Sequence, residues 1–290
     1  MSLEHLRIFV GVAEREHMTK AAEALAITQS AASAAVAALE ARHGVPLFHR
    51  VGRRIALSDA GRMFLAEAKA VLGRMESAEA VLADYAGLQR GTLRLVASQT
   101  IAGYWLPRHL AAFRRRHPGI GVELAIANTD AARAQILDGG AELGFVEGAV
   151  DDPAIARRAI GEDRMLLVSA ETADDVDEAW LRARRWIVRE TGSGTRSSFE
   201  AVLRARGFDP GRLDIAMTLP SNEAVRSAVE AGAGVAVLSE LVVARAIGDG
   251  SLHALPFALP ARPFFALRHK ERYRTRAADA LLDLIGEQAR

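Results

Sequence analysis

The sequence predicts an α/β protein in three parts: an N-terminal winged helix-turn-helix, a long linker helix, and a two-lobed α/β domain. Three observations predict it. Residues 17–44 read as two helices joined by a tight turn, and 45–58 as strand, basic turn, strand. Residues 59–85 carry apolar side chains at alternating four- and three-residue spacing. From residue 92 onward, apolar runs of strand length alternate with amphipathic stretches of helical period.

The first helix is expected over 3–15, with Leu3, Leu6, Phe9, Val10 and Ala13 as its apolar stripe. Thr19 is the expected N-cap of a short second helix that buries Ala22, Leu25 and Ala26. Ala26 and Ile27 make the turn. Thr28 caps a third helix that runs to His43, where Gly44 stops it. Ala32, Val36, Leu39 and His43 share one face of that helix. Ser30, Ser33, Ala34 and Ala37 share the other, and Gln29 projects from the N-terminal end. The outer face is small and nearly uncharged, whereas a solvated face would carry Lys and Glu. Small residues suit a helix that must lie against another surface, here the floor of a DNA major groove. A plain helical hairpin in a core would share the pattern. The following segment favours the DNA reading. A turn at Val51-Gly52 is flanked by Arg50, Arg53 and Arg54, as in a wing that contacts phosphates. The candidate DNA-binding residues are Lys20, Thr28, Gln29, Ser30, Ser33, Arg50, Arg53 and Arg54.

Ser58 is the expected cap of the long helix, with Asp59 in its first turn. Phe64, Ala68, Val71, Met75, Ala78, Leu82 and Tyr85 form a heptad seam. Such a seam either packs on its own domain or pairs with a partner helix. The strict period and the position between two domains favour a dimerisation helix. Residues 88–92 read as a hinge.

Strands are expected at 92–97, 121–127, 142–148, 163–170, 186–190, 214–219, 234–239 and 264–269. Helices are expected at 107–118, 130–140, 174–184, 195–206, 222–232 and 274–289. This order predicts parallel sheets with helices on both faces, in two lobes with a cleft between them. Ligands bind beyond the carboxyl ends of such strands. The polar residues there are Ser98, Gln99, Thr100, Asn128, Thr129, Glu147, the loop Gly192, Ser193, Gly194, Thr195 and Arg196, and Asn222. In the loop, glycines that free backbone N–H groups, two hydroxyls and a helix N-terminus suit a small oxyanion. A helix cap with a tight turn would use the same residues. Glu147 opposes an anion unless Arg189 or Arg196 neutralises it, or unless it hydrogen-bonds the hinge.

The bulk numbers set bounds. The chain has 290 residues, enough for two or three domains, and half are hydrophobic. The net charge of +1 does not by itself suggest a nucleic-acid binder, but three of the seven Lys and Arg before residue 58 sit in the wing. With no cysteine, disulfides and Cys-based metal sites are excluded. The histidines form no metal-ligand cluster, so no metal or cofactor is expected. There is no signal-peptide pattern and no apolar run of membrane-spanning length, so a cytoplasmic protein is expected. No Ser/His/Asp triad or nucleotide fingerprint stands out, which argues against an enzyme. A solute-binding protein would explain residues 92–290 and leave 1–85 without a role.

TQSAASAAVAALEARHGVPLFHR (28–50) followed by ALSDAGRMFL (56–65) resembles the DNA-binding domain of LysR-type transcriptional regulators. Ala34, Ala35 and Ala37 stand where many members carry Arg or Gln, so fewer side chains reach bases. The resemblance implies a homodimer or tetramer on a partly palindromic operator, paired through the linker helix. It also implies a periplasmic-binding-protein-like effector domain, with 93–161 and 264–290 in one lobe and 162–263 in the other. The stretches 93–107, 142–148, 186–196 and 221–239 resemble a branch that includes regulators of sulfur-anion metabolism.

Overall fold

A computed structural model of the chain describes residues 1–52, 54–85, 91–148 and 150–288, without the side chains at 80 and 83–85. It forms two compact units, one built on Met1–Leu82 and the other chiefly on residues from Gly91 onward.

The first unit begins with α1 (Leu3–Arg15), α2 (Met18–Ala24) and α3 (Gln29–His43). Ile8 and Val12 of α1 pack with Ala21, Ala22, Ala32, Ala35 and Val36. Small side chains at these crossings let the three helices approach closely. Two expectations for α2 fail. α2 is capped by His17, whose ring accepts from the Lys20 amide, and not by Thr19. Ala26 is exposed in the turn with a positive φ of 55°. α3 matches its expected ends: Thr28 accepts from the Ala31 amide, and Gly44 takes the left-handed conformation. His43 and Leu3, expected on buried faces, are exposed.

β1 (Phe48–Val51) and β2 (Arg54–Leu57) pair antiparallel as the wing, so Val51 ends a strand and Gly52 enters the turn. Glu40 of α3 fixes the base of the wing by accepting from the amides of Leu47 and Phe48, at 2.7 and 3.1 Å. The Ser58 hydroxyl caps α4 (Asp59–Tyr85) at the Gly61 amide, 2.9 Å away. The heptad seam of α4 divides in two. Phe64 and Ala68 belong to the unit's own core with Leu6, Phe9 and Leu39, which corrects their assignment to a dimer contact. Met75 lies beside Arg7. Val71 and Leu82 are 45% and 74% exposed, far more than an internally packed seam would leave, and Ala78 is also exposed. The Tyr85 side chain lies outside the described residues.

The second unit opens with β3 (Gly91–Ala97), a π-helical turn at Ile101–Trp105, α5 (Leu106–Arg116), β4 (Ile120–Ile126), α6 (Thr129–Asp138), β5 (Leu143–Glu147) and β6 (Ile155–Asp163). It continues through β7 (Met165–Ser169), α7 (Glu178–Ala183), β8 (Arg185–Arg189), α8 (Gly194–Ala205), β9 (Asp214–Leu219), α9 (Asn222–Glu230) and β10 (Ala236–Ser239). α10 (Glu240–Gly248), β11 (His253–Ala254), β12 (Arg262–His269) and α11 (Arg276–Gln288) complete it.

One sheet has the order β4-β3-β5-β12-β6. β3 runs parallel to β4 and β5, while β12 runs antiparallel to both β5 and β6. The other strands give a parallel pair β8-β9 and an antiparallel ladder β10-β7-β11, with Trp186 bridging to Val235. The all-parallel expectation is therefore corrected. Each antiparallel pair joins strands far apart in the chain, β12 with β5 and β6 and β7 with β10 and β11, so their direction follows from where the chain re-enters each sheet and not from a local βαβ connection. The chain crosses between the sheets after Asp163 and again before Arg262. Each sheet has its own core. Phe113, Phe145 and Phe264 anchor the first; Trp186, Phe199 and Leu203 anchor one side of the second. No single helix among the described residues is long and apolar enough to cross a membrane.

Candidate functional site

The predicted effector residues gather where strand ends meet, in two hydrogen-bonded groups. One surrounds Arg189 and Glu190, with Gln99, Thr100, Asn128, Gly192, Ser193, Arg196 and Asn222. The other surrounds Arg262, with Ser98, Thr129, Glu147 and Thr195, and Gly194 lies against Glu147 and Thr129. β3 delivers Ser98, Gln99 and Thr100 just before the π-helical turn, a backbone irregularity frequent at functional sites. Gln99 makes two bonds to the opposite wall. Its carbonyl accepts from the Asn222 amide at 2.8 Å, and its amide donates to the Pro220 carbonyl at 3.0 Å. The Asn222 side chain donates to the Thr100 hydroxyl at 3.0 Å and accepts from Arg189.

The second bridge explains the glycines of the 192–195 loop. Asn128 donates to Glu190 and to the Thr191 carbonyl, each at 3.4 Å, and the Asp130 amide donates to the Gly192 carbonyl at 3.3 Å. Gly192 has φ +85°, which side-chain-bearing residues rarely adopt. A Cβ on Gly194 would stand 2.3 Å from the Glu147 carbonyl oxygen and 2.6 Å from the Thr129 hydroxyl. These glycines thus permit close approach across the cleft, beyond the freeing of N–H groups expected from sequence.

Glu147, Asp163 and Arg262 are all buried and form the floor. Burying charge is costly unless it is paired, and each of the three is. Arg262 holds Asp163 with Nε and Nη2, at 3.0 and 2.7 Å, and lies 3.7 Å from Glu147. It also donates to the Thr195 hydroxyl at 3.3 Å. The Ser98 hydroxyl donates to the Glu147 carboxylate, and Thr129 donates to the Glu147 carbonyl at 2.9 Å. The Ser239 hydroxyl donates to Asp163 at 2.8 Å. The counter-ion of Glu147 is therefore Arg262, not Arg189 or Arg196. Arg189 pairs with Glu190 at 2.8 Å. Burial pushes the Glu190 carboxyl up, but hydrogen bonds from Arg189 outweigh it and hold it below its ordinary value. Arg196 is tied to Glu200 at 2.7 Å and to the Arg189 carbonyl at 3.1 Å.

Ser193 is the N-cap residue of α8 yet makes no side-chain capping bond, and it is buried. Thr195 accepts from Arg262 with its own O–H left to donate. The first-turn amides of α8 have no partner within the helix. This end of the constellation offers hydrogen-bond donors and the positive end of a helix.

In the first unit, Lys20, Thr28, Gln29, Ser30, Arg50 and Arg54 are exposed and Ser33 is half-buried. Arg53 lies outside the described residues. Gln29 donates to Ser33 at 3.2 Å, and Thr28 and Ser30 share a 3.0 Å bond. The outer face of α3 is thus a short polar row among alanines.

Residues 3–62 match the model of the bacterial regulatory helix-turn-helix protein, lysR family, and residues 86–290 match the LysR substrate binding domain. The chain belongs to the LysR family of transcriptional regulators. The uncharacterized HTH-type transcriptional regulator YeiE of Escherichia coli (strain K12) is 31% identical over 289 residues, covering 98% of this chain and 96% of that protein. The probable RuBisCO transcriptional regulator of Nostoc sp. (strain PCC 7120 / SAG 25.82 / UTEX 2576) is 30% identical, covering 96% and 86%. The crystal structure of CbnR, a LysR family transcriptional regulator, shares the fold with a TM-score of 0.72 at 22% identity, covering 100% of both chains.

As a LysR regulator the chain binds operator DNA, takes a small-molecule effector in its substrate-binding domain and is not an enzyme. The LysR fold also uses residues that sequence reasoning passed over. Asp163 opens the strand expected at 163–170, and Arg262 lies two residues before the one expected at 264–269. An arginine opening an otherwise apolar strand, 262-RPFFAL-267, was the available signal.

Proposed function

We propose that this LysR regulator holds a small oxyanion, such as a sulfur oxyanion, at the N-terminus of α8, and that occupancy there alters operator binding. The carrying observation is the uncapped helix end with buried Ser193 and Thr195, beside an arginine that already offsets Glu147. The walls are joined by direct hydrogen bonds through Gln99, Asn128 and Asn222, which favours a ligand of few atoms. On this reading residues 93–161 and 264–290 form one lobe and 162–263 the other. A bound anion biases their relative position. Residues 1–58 read DNA, 59–87 link, and 88–92 serve as the hinge. The exposed part of the α4 seam, Val71, Ala78 and Leu82, pairs with a second copy in the cytoplasm.

Thr195→Val keeps the side-chain volume and removes the hydroxyl. A hydrogen bond to a charged ligand is worth roughly 1.5–3 kcal/mol, so anion affinity should fall about tenfold or more. Operator binding without ligand should stay as in the parent. Calorimetric titration of sulfite, beside gel shifts, measures both. An unchanged titration removes Thr195 from the site.

The DNA reading rests on Gln29, Ser30 and Ser33, with Lys20, Thr28, Arg50, Arg53 and Arg54 toward phosphates. Gln29→Ala and Ser33→Ala should each weaken specific operator binding, by a loss on the order of 1–3 kcal/mol for a base-reading side chain. Nonspecific DNA binding should change little. Equal affinity of parent and variants for operator would mean α3 is not the reader.

A further inference from the structure

The face of β6 and β12 that packs on α11 carries an unusual arrangement. The strand register pairs Ala156 with Arg268 and Arg158 with Ala266. Side chains two apart on a strand share a face, so two alanines and two arginines form a checkerboard there. The alanines end at Cβ. Beside them lies a recess of about 200 Å³, lined also by Leu143, Leu267, Leu282, Arg274 and Arg157, whose guanidinium donates to the Val150 carbonyl. Gly286 of α11 gives the Arg158 guanidinium room, since a Cβ there would stand 3.2 Å from Nη2.

The charges at this recess are unbalanced. Arg274 is paired with Asp279 at 3.1 Å. Arg158 makes no hydrogen bond or ion pair among the described residues, and Arg268 reaches only the His269 carbonyl at 3.5 Å. Like charges on neighbouring strands repel, and the carboxylate nearest the recess, Asp279, is engaged by Arg274. At roughly 30 Å³ per water the recess holds about seven waters, the space of a small organic molecule.

We propose that this recess is a second ligand site, for a small organic anion. Its acid group sits between Arg158 and Arg268, and its apolar body lies on Ala156, Ala266 and Leu282. An inorganic ion would satisfy the arginines and leave the apolar floor wet. A neutral apolar molecule would leave the arginines unpaired. None of the residues of the α8 site lines the recess, so the two sites are separate and this one does not depend on the oxyanion reading.

The test titrates phenyl phosphate, inorganic phosphate and phenol into the full-length protein by calorimetry. Phenyl phosphate should bind more tightly than either fragment. Arg158→Gln with Arg268→Gln should weaken it at least tenfold, and Thr195→Val should leave it unchanged. The Tm of the ligand-free double variant should equal or exceed that of the parent, because a like-charge pair has been removed. Absence of phenyl phosphate binding overturns the proposal, as does equal binding by the double variant or its loss in Thr195→Val. Lost binding with a lowered ligand-free Tm marks the two arginines as structural and overturns it as well.

Discussion

Arg262→Ala should destabilise the second unit by about 3–5 kcal/mol, the cost of leaving a buried charge without its partner. Asp163 would lose a two-point guanidinium contact and Glu147 its counter-ion, both in buried surroundings. Urea unfolding of the full-length protein, followed by tryptophan fluorescence, reads the change. Trp105, Trp180 and Trp186 all lie in the second unit. Because the penalty comes from stranded carboxylates, removing Asp163 as well, with Arg262→Met and Asp163→Leu, should restore part of the loss. A single variant within 1 kcal/mol of the parent would mean that the cluster is solvated and that Glu147 faces water.

Gly194→Ala should abolish the effector response. The new methyl would fall 2.3 Å from the Glu147 carbonyl oxygen and 2.6 Å from the Thr129 hydroxyl, so the loop must withdraw. Overpacking of this kind costs about 1–3 kcal/mol in cores. Here it also moves the N-terminus of α8 away from Arg262. Calorimetry with sulfite should show at least a tenfold loss of affinity, while α3 still binds operator. Gly103→Ala is the control. Nothing lies within 4 Å of its added methyl, so it should leave both properties intact. An undiminished response in Gly194→Ala would place the ligand elsewhere.

The legible parts of the chain are those with local signals. Thr28 and Gly44 bracket α3 because a hydroxyl and a glycine solve the problems of helix ends. His17 displaced Thr19 as a cap because an imidazole nitrogen in the right place serves as well as a hydroxyl. β6 went unread because it is an edge strand. Its exposed residues, Arg157, Arg158 and Glu162 among them, interrupt any apolar run. α10 went unread because 240-ELVVARAIG-248 follows β10 directly and extends one apolar stretch. Most of the polar constellation is legible, since the strands that deliver it, β3, β4 and β5 and then β8 and β9, run parallel within each sheet and so end on one edge. Its counter-ion is not. Arg262 meets Asp163 from 99 residues away, and no local pattern encodes that meeting. The four-three spacing of α4 is legible in the sequence, but periodicity cannot tell Phe64 and Ala68, which face their own core, from Val71 and Leu82, which face outward.

The most direct measurement is the fluorescence anisotropy of a labelled operator fragment with the full-length protein while sulfite is added. Ionic strength is held constant with sodium chloride, because DNA affinity varies steeply with salt. The account predicts a saturable change in the operator Kd that vanishes in Thr195→Val. The same change in Thr195→Val would contradict it, as would no change with sulfite, sulfate or thiosulfate.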